Sequence, residues 1–203
     1  MPKDGSATRE KILETAQRLI MQRGYAGVSI DSIIDSVGIT KGAFFYHFKS
    51  KAELAKALVK RYRELDDKLF HDRKEQARQQ SDDPLESMLI FIDSFETFFA
   101  ELEQVHAGCL FASYVYEIQQ FDTETKDMIR DAFLYWRQEL EQWLEEVRKQ
   151  YPPRLDINTS YLADTFTSTL EGAFVMAKAT DDPQAIPQQI RHFRNYIQLL
   201  FSQ

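Results

Sequence analysis

The chain has 203 residues, 43% of them hydrophobic and 13% aromatic, with only seven glycines and six prolines. This balance favours a compact, mostly helical protein and excludes a disordered chain or a turn-rich β fold. A single cysteine, Cys109, excludes an intramolecular disulfide and fits a reducing cytoplasm, and neither a signal peptide nor a membrane span is expected from any apolar run. The net charge of −7 is unevenly spread: residues 1–63 carry twelve Lys/Arg against six Asp/Glu (+6), and residues 64–203 carry thirteen against twenty-six (−13). Such asymmetry suits a small module that meets phosphates, attached to a larger body that does not.

Residues 1–7 show no pattern and read as a tail from which Lys3 could reach a phosphate. From Thr8 to Gly24 the apolar residues Ile12, Ala16, Leu19 and Ile20 mark one buried helix face. Ser29 is placed to cap a second helix carrying Ile30, Ile33, Ile34 and Val37 inward, and Gly38 ends it. Thr40 caps a third, with Phe44 and Phe48 on one face and Lys41, Ala43, Phe45, Tyr46 and His47 around the remainder. Two short helices joined by a tight turn form a helix-turn-helix, whose second helix enters the major groove of DNA.

Ser50 then caps a long helix from Lys51 toward Gln79. Its first turns are basic, and beyond Glu64 its charges alternate, so the functional boundary falls within it. The expected division is a DNA-binding domain over residues 1–50, its basic segment reaching residue 63, and an effector-binding and dimerisation domain over residues 51–203. Asp83 and Pro84 open a helix to about Glu103 that is apolar on more than one face. A turn at 106–110 precedes a short helix ending near Phe121, and Thr123 caps a helix to about Gln150. Asn158 or Thr159 starts the next, with Leu162, Phe166, Leu170, Ala173, Phe174 and Ala177 on one face and the smaller Thr165, Ser168, Gly172 and Met176 on another. The last helix follows Asp181-Asp182-Pro183, with Ile186, Ile190, Phe193, Ile197, Leu200 and Phe201 in register. No strand pattern or internal repeat is present.

The segment from Thr8 to about Lys60 resembles the DNA-binding domain of the TetR family of bacterial transcriptional regulators. The likeness rests on Ile-Leu-x-x-Ala-x-x-Leu-Ile at 12–20, Gly24-Tyr25, Val-Ser-Ile at 28–30 and the run Gly38-Ile39-Thr40-Lys41-Gly42-Ala43-Phe44-Phe45-Tyr46-His47-Phe48-Lys49-Ser50-Lys51-Ala52-Glu53-Leu54. It implies an all-α protein of about nine helices, acting as a homodimer through its last two. Thr165, Ser168, Gly172 and Met176 of the eighth helix and Phe193, Ile197 and Leu200 of the ninth are assigned to that interface.

Carried onto the matching positions, the resemblance places Ser29, Tyr46 and Lys51 on phosphates, and Thr40, Lys41, Gly42, Ala43, Phe45 and His47 against the groove or its backbone. The chemistry agrees: hydroxyl and ammonium groups donate to phosphate oxygens without sequence information, and Lys41 can donate to guanine O6 and N7. Gly42 lets the backbone approach DNA, at about 1 kcal/mol of helix propensity. Phe45 stands where the family often has tyrosine, so an apolar contact, such as one to a thymine methyl, replaces a phenolic hydrogen bond.

A regulator of this kind needs a ligand that favours one geometry over another. Phe91, Phe95, Phe98, Phe99, Phe111, Tyr114, Trp136, Phe166 and Phe174 are candidate lining for an apolar effector site, and part of this set is expected to be plain core. His106, Glu117, Arg137 and Glu171 are polar groups that could orient a ligand. Gly108-Cys109-Leu110, with Glu117 downstream, is similar to the body of family members that respond to electrophiles or oxidants; the alternative for Cys109 is a small buried hydrophobe.

No catalytic residues, cofactor or metal ligands are expected. An enzyme using Cys109 as nucleophile and His106 as base has no identifiable third group, and a DNA-binding structural or adaptor protein without an effector is the other alternative. The expected function is therefore a cytoplasmic, ligand-responsive repressor that binds a palindromic operator as a homodimer and releases it on binding a small apolar, aromatic or electrophilic effector.

Overall fold

A computed structural model describes residues 5–202; the phosphate role suggested for Lys3 lies outside them. The described residues form nine α-helices and one 3-10 turn, with no strand: α1 Gly5–Arg23, α2 Ile30–Val37, α3 Lys41–His47, α4 Lys51–Gln80, α5 Pro84–Ala100, α6 Leu110–Val115, the 3-10 turn Ile118–Gln120, α7 Thr123–Gln150, α8 Thr159–Thr180 and α9 Ala185–Phe201. None of the described helices is long and apolar enough to cross a membrane.

Most boundaries follow from capping. The side chains of Ser29, Thr40, Asp83 and Asn158 each accept from a backbone N–H in the helix they precede, which satisfies donors that the first turn leaves without a partner. Ser50 does the same for α4, its Oγ accepting from Glu53 N while Glu53 reaches back to Lys49 N. Gly38 closes α2 at φ +75°, a left-handed conformation that glycine adopts without strain.

Four boundaries differ from the sequence reading. Helix α1 begins at Gly5, three residues before Thr8. Helix α5 stops at Ala100 rather than Glu103, where Leu102 N donates to Phe99 O in a tightened last turn. The cap of α7 is Asp122, whose carboxylate accepts from Thr125 N at 2.7 Å, not Thr123. Helix α6 ends at Val115, because Glu117 turns out of helical geometry (φ −118°, ψ 23°) before the 3-10 turn.

The chain divides into two compact units that do not follow sequence order: the chain up to Leu65 together with Ala107–Asp131, and Asp66–His106 together with Ala132–Gln203. In the first, Ile12, Leu13, Ala16, Leu19 and Ile20 of α1 pack with Ile33 and Val37 of α2, Phe44 of α3, Phe48, and Leu54, Leu58 and Val59 of α4. Leu110, Phe111 and Tyr114 of α6 join this core, and Tyr25 meets Tyr114 and Phe121 at ring-centroid distances of 5.5 and 4.7 Å.

The second unit is built on aromatic contacts. Phe91 of α5 is fully buried and lies 5.1 Å from Phe70, 5.1 Å from Phe95, 5.4 Å from Trp143 and 5.9 Å from Phe166. Edge-to-face and tilted pairs of this kind add to plain area burial. Helix α9 lies against α5 and α8, and Arg194–Asp93 and Arg191–Glu96 ion pairs tie its polar edge to α5.

Candidate nucleic-acid interface

The short α3 is held by its apolar side. Phe44 and Phe48 are buried 6.0 Å apart, with the Arg9 guanidinium over Phe48, so Lys41, Gly42 and Tyr46 of α3 are turned outward. Thr40 is exposed and its Oγ1 accepts from Ala43 N at 3.2 Å. Lys41 is exposed and pairs with Asp31 of α2 at 3.4 Å. Tyr46 is 76% exposed, and its ring meets that of His47 edge-on at 5.0 Å. Phe45 and Ala43 are half-buried, Phe45 packing edge-on against Phe44. A Cβ at Gly42 would meet nothing nearer than Thr40 Oγ1 at 3.9 Å; the fold itself does not require glycine there.

Ser29 and Lys51 flank this helix pair. Ser29 is exposed at the start of α2, and its Oγ accepts from Ser32 N. That leaves its hydroxyl proton available to a phosphate. Lys51, the first residue of α4, is half-buried; its Nζ donates to Tyr25 O at 2.5 Å and lies 4.0 Å from the Tyr25 ring centroid. Burial lowers its pKa, and the Glu117 carboxylate acts in the opposite direction. All nine residues assigned to DNA contact thus lie on or beside α2, α3 and the start of α4, within the first unit.

The residues assigned to an effector site fall in two places. Phe91, Phe95, Phe99, Trp136, Phe166 and Phe174 are buried in the second unit, while Phe98 is 43% exposed with the Arg73 guanidinium over its ring. Arg137 grips Asp164 through two hydrogen bonds of 2.7 and 2.6 Å, and Glu171 is half-buried on α8. His106 lies between Phe99 and Phe174, at 5.4 and 5.1 Å, where burial and then Lys178 hold its pKa below the usual imidazole value. A small apolar space of about 10 Å³, lined in part by Met88, Ile92, Leu162 and Phe166, is room for about one water.

Cys109, Phe111 and Tyr114 belong to the first unit. Cys109 is half-buried at the N-cap position of α6, and Phe111 meets Tyr62 at 4.9 Å. Glu117, considered as a ligand-orienting group, is engaged elsewhere: it accepts from Tyr25 N, Ala26 N and Gln120 Nε2.

Two charged residues escaped the sequence reading. Asp66 of α4 is half-buried in the second unit, and its pKa is raised to about 7 by desolvation, opposed by the Trp136 side chain and reinforced by Asp67 and Glu171. Asp31 is the partner of Lys41. Neither has a motif; a charged residue on a helix reads as solvated until its neighbours are known.

On α9, the residues assigned to the dimer surface are corrected, not the helix. Phe193, Ile197 and Leu200 are 8%, 0% and 2% exposed, because the apolar stripe of α9 faces α5 and α8 of its own chain. The face left open carries His192, Asn195, Tyr196 and Leu199. On α8, Ser168, Gly172 and Met176 are exposed, and Thr165 is half-buried. Among the described residues no group of three or more His, Cys, Asp or Glu could hold a metal ion.

The comparison with known proteins agrees with this geometry. Residues 12–58 match the model for bacterial regulatory proteins of the tetR family, and residues 84–193 match the tetracyclin repressor-like C-terminal domain. A transcriptional regulator of the helix-turn-helix type from Lactococcus lactis subsp. lactis is 25% identical over 182 residues, covering 86% of this chain and 85% of that protein. The regulator TtgR of Pseudomonas putida is 31% identical over 126 residues, 58% of each chain. Among solved structures, a TetR-family regulator from Agrobacterium tumefaciens superposes with a TM-score of 0.79 at 25% identity, covering 95% of this chain and 98% of that one. The reduced form of NemR from Escherichia coli gives 0.71 at 20% identity, with 93% and 96% coverage. The family matches over both parts of the chain show that this protein, with its outward α3 on a buried phenylalanine pair, belongs to the TetR family of DNA-binding transcriptional regulators.

Proposed function

We propose that the chain is a cytoplasmic repressor that binds a palindromic operator as a homodimer and leaves it when a small effector binds its body. The observation that carries this reading is the outward face of α3, where Lys41, Gly42 and Tyr46 stand exposed over buried Phe44 and Phe48 in the basic part of the chain. Lys41 reads base edges, and Ser29, Tyr46 and Lys51 hold phosphates. Residues 1–50 are the DNA-binding domain in this reading, and residues 51–203 carry effector binding and dimerisation. The dimer forms through the exposed faces of α8 and α9, which present Gly172, Val175, Met176, Tyr196 and Leu199.

The effector is small and apolar or aromatic, received among the buried rings of the second unit with His106 as a polar handle. Since a drug-sized ligand needs on the order of 300 Å³, the apolar space of about 10 Å³ must widen for it. That requirement supplies the differential binding that a switch needs. An electrophile reacting at Cys109 is the second route, supported by incomplete burial of that residue.

Selection of bound duplexes from a random pool, repeated with candidate ligands, tests the proposal. A palindromic site and ligand-dependent loss are expected; sequence-independent binding unaffected by any ligand would overturn the repressor reading. Over a salt series, Lys51→Ala is expected to weaken binding to all sequences and to lower the salt dependence, whereas Lys41→Ala also changes base preference. Cys109→Ser separates the two effector routes: a variant released by electrophiles as readily as the parent ends the thiol route.

A further inference from the structure

Glu117 leaves helical geometry immediately after α6 and directs its carboxylate onto the turn that follows α1. Its Oε1 accepts from Tyr25 N at 2.6 Å and its Oε2 from Ala26 N at 2.8 Å, with Gln120 Nε2 donating to Oε2 at 2.7 Å. Two successive backbone N–H groups are thus met by the two oxygens of one carboxylate, from 91 and 92 residues away in sequence. Charge-assisted bonds of this kind are stronger than neutral ones. Gly24 makes the approach possible: it sits at φ +76°, and a Cβ there would stand 2.9 Å from Glu117 Oε1.

The same turn carries Lys51. Tyr25 O accepts from Lys51 Nζ at 2.5 Å, and the Tyr25 ring lies beneath that ammonium at 4.0 Å. The ring is fixed in turn by Tyr114 and Phe121, which precede and follow Glu117. An ammonium group has three donors, so Lys51 can hold Tyr25 O and still donate to a phosphate.

We propose that Glu117 is a positioning residue for DNA binding: by clamping the Tyr25–Ala26 turn it sets the carbonyl and ring that aim the Lys51 ammonium at the operator backbone. The proposal rests on the reading of Lys51 as a phosphate contact. It also runs against simple electrostatics, because a carboxylate near a phosphate site repels DNA. If Glu117 acted only through its charge, removing it would tighten binding; if it acts by position, removing it weakens binding.

The test measures binding of the full chain to the selected palindromic duplex over a salt series, for the parent, Glu117→Gln, Lys51→Ala and the double variant, with thermal unfolding of each. Gln keeps the shape but turns an NH2 toward one of the two N–H groups. Glu117→Gln is expected to weaken binding by about ten-fold and to lower the salt slope as Lys51→Ala does, and the double variant should bind no more weakly than Lys51→Ala alone. Binding equal to or tighter than the parent's, or losses that add in the double variant, would overturn the proposal even if the variant melts earlier. Should Glu117→Gln not fold, Glu117→Asp carries the test: it keeps the charge, withdraws the carboxylate by one methylene, and is expected to show the same loss, whereas parent-like binding overturns the proposal. An inert Lys51→Ala refutes the phosphate reading and this inference together; an effective Lys51→Ala beside an inert Glu117→Gln refutes this inference alone.

Discussion

Ser29 and Ser32 cap each other across the first turn of α2: Ser29 Oγ accepts from Ser32 N at 3.0 Å, and Ser32 Oγ accepts from Ser29 N at 3.1 Å. Replacing Ser29 by alanine removes an N-cap acceptor, at about 1 kcal/mol of stability. It also removes the hydroxyl assigned to a phosphate. Ser29→Ala is therefore expected to lower the unfolding midpoint modestly and to weaken DNA binding, whereas Ser32→Ala lowers stability with a smaller effect on binding. Denaturant unfolding and a DNA titration of both variants check this.

Gly42 costs helix stability without any packing reason inside the chain, since a Cβ there meets only Thr40 Oγ1 at an ordinary contact distance of 3.9 Å. Gly42→Ala is expected to raise stability by roughly 0.5–1 kcal/mol and to weaken operator binding, because the added methyl holds the backbone of α3 away from DNA. Stability and affinity moving in opposite directions is the expected result. A variant that is more stable and binds DNA as well as the parent would place the reason for this glycine elsewhere.

Asp66 makes stability depend on pH in an unusual direction. Its pKa is about 7 in the folded chain and near 3.8 when exposed. Between those values the folded state holds a proton that the unfolded state has lost, so the contribution of this group is fully present below about pH 4 and is lost as pH rises to about 7. Asp66→Asn, which stays neutral, is expected to flatten that part of the profile and to gain on the order of 2–4 kcal/mol relative to the parent at pH 8. Urea unfolding at pH 5 and pH 8 measures the difference; equal slopes in parent and variant would contradict it.

Gly172 and Ile197 separate association from folding. A side chain at Gly172 meets nothing within 4 Å in its own chain, whereas Ile197 is fully buried. Gly172→Arg is expected to leave a folded monomer that no longer dimerises, as read by sedimentation and circular dichroism. Ile197→Arg, which places an unpaired charge in the core, is expected to unfold the chain at a cost of several kcal/mol.

Much of the fold was legible in the sequence because helices announce themselves locally. The period of Ile12, Ala16, Leu19 and Ile20, the caps at Ser29, Thr40, Asp83 and Asn158, and the stop at Gly38 are interactions within a few residues, so spacing and residue type suffice to place them. The outward set of α3 follows by subtraction once Phe44 and Phe48 are taken as its buried side. Apolar periodicity shows only that a face is buried, not what buries it. For that reason Phe193, Ile197 and Leu200 were open to assignment to a second copy until α5 and α8 of the same chain were seen to cover them.

What the tertiary structure alone decided are the long-range polar pairings. Glu117 meets the Tyr25–Ala26 turn across more than ninety residues, Lys51 lies over the Tyr25 ring, and Asp66 is half-buried near Trp136 and Glu171. A carboxylate or ammonium on a helix carries the same local signature whether it faces water or a buried partner. Its energy depends on desolvation and on charges brought near by folding, and neither is a property of neighbouring positions in the chain.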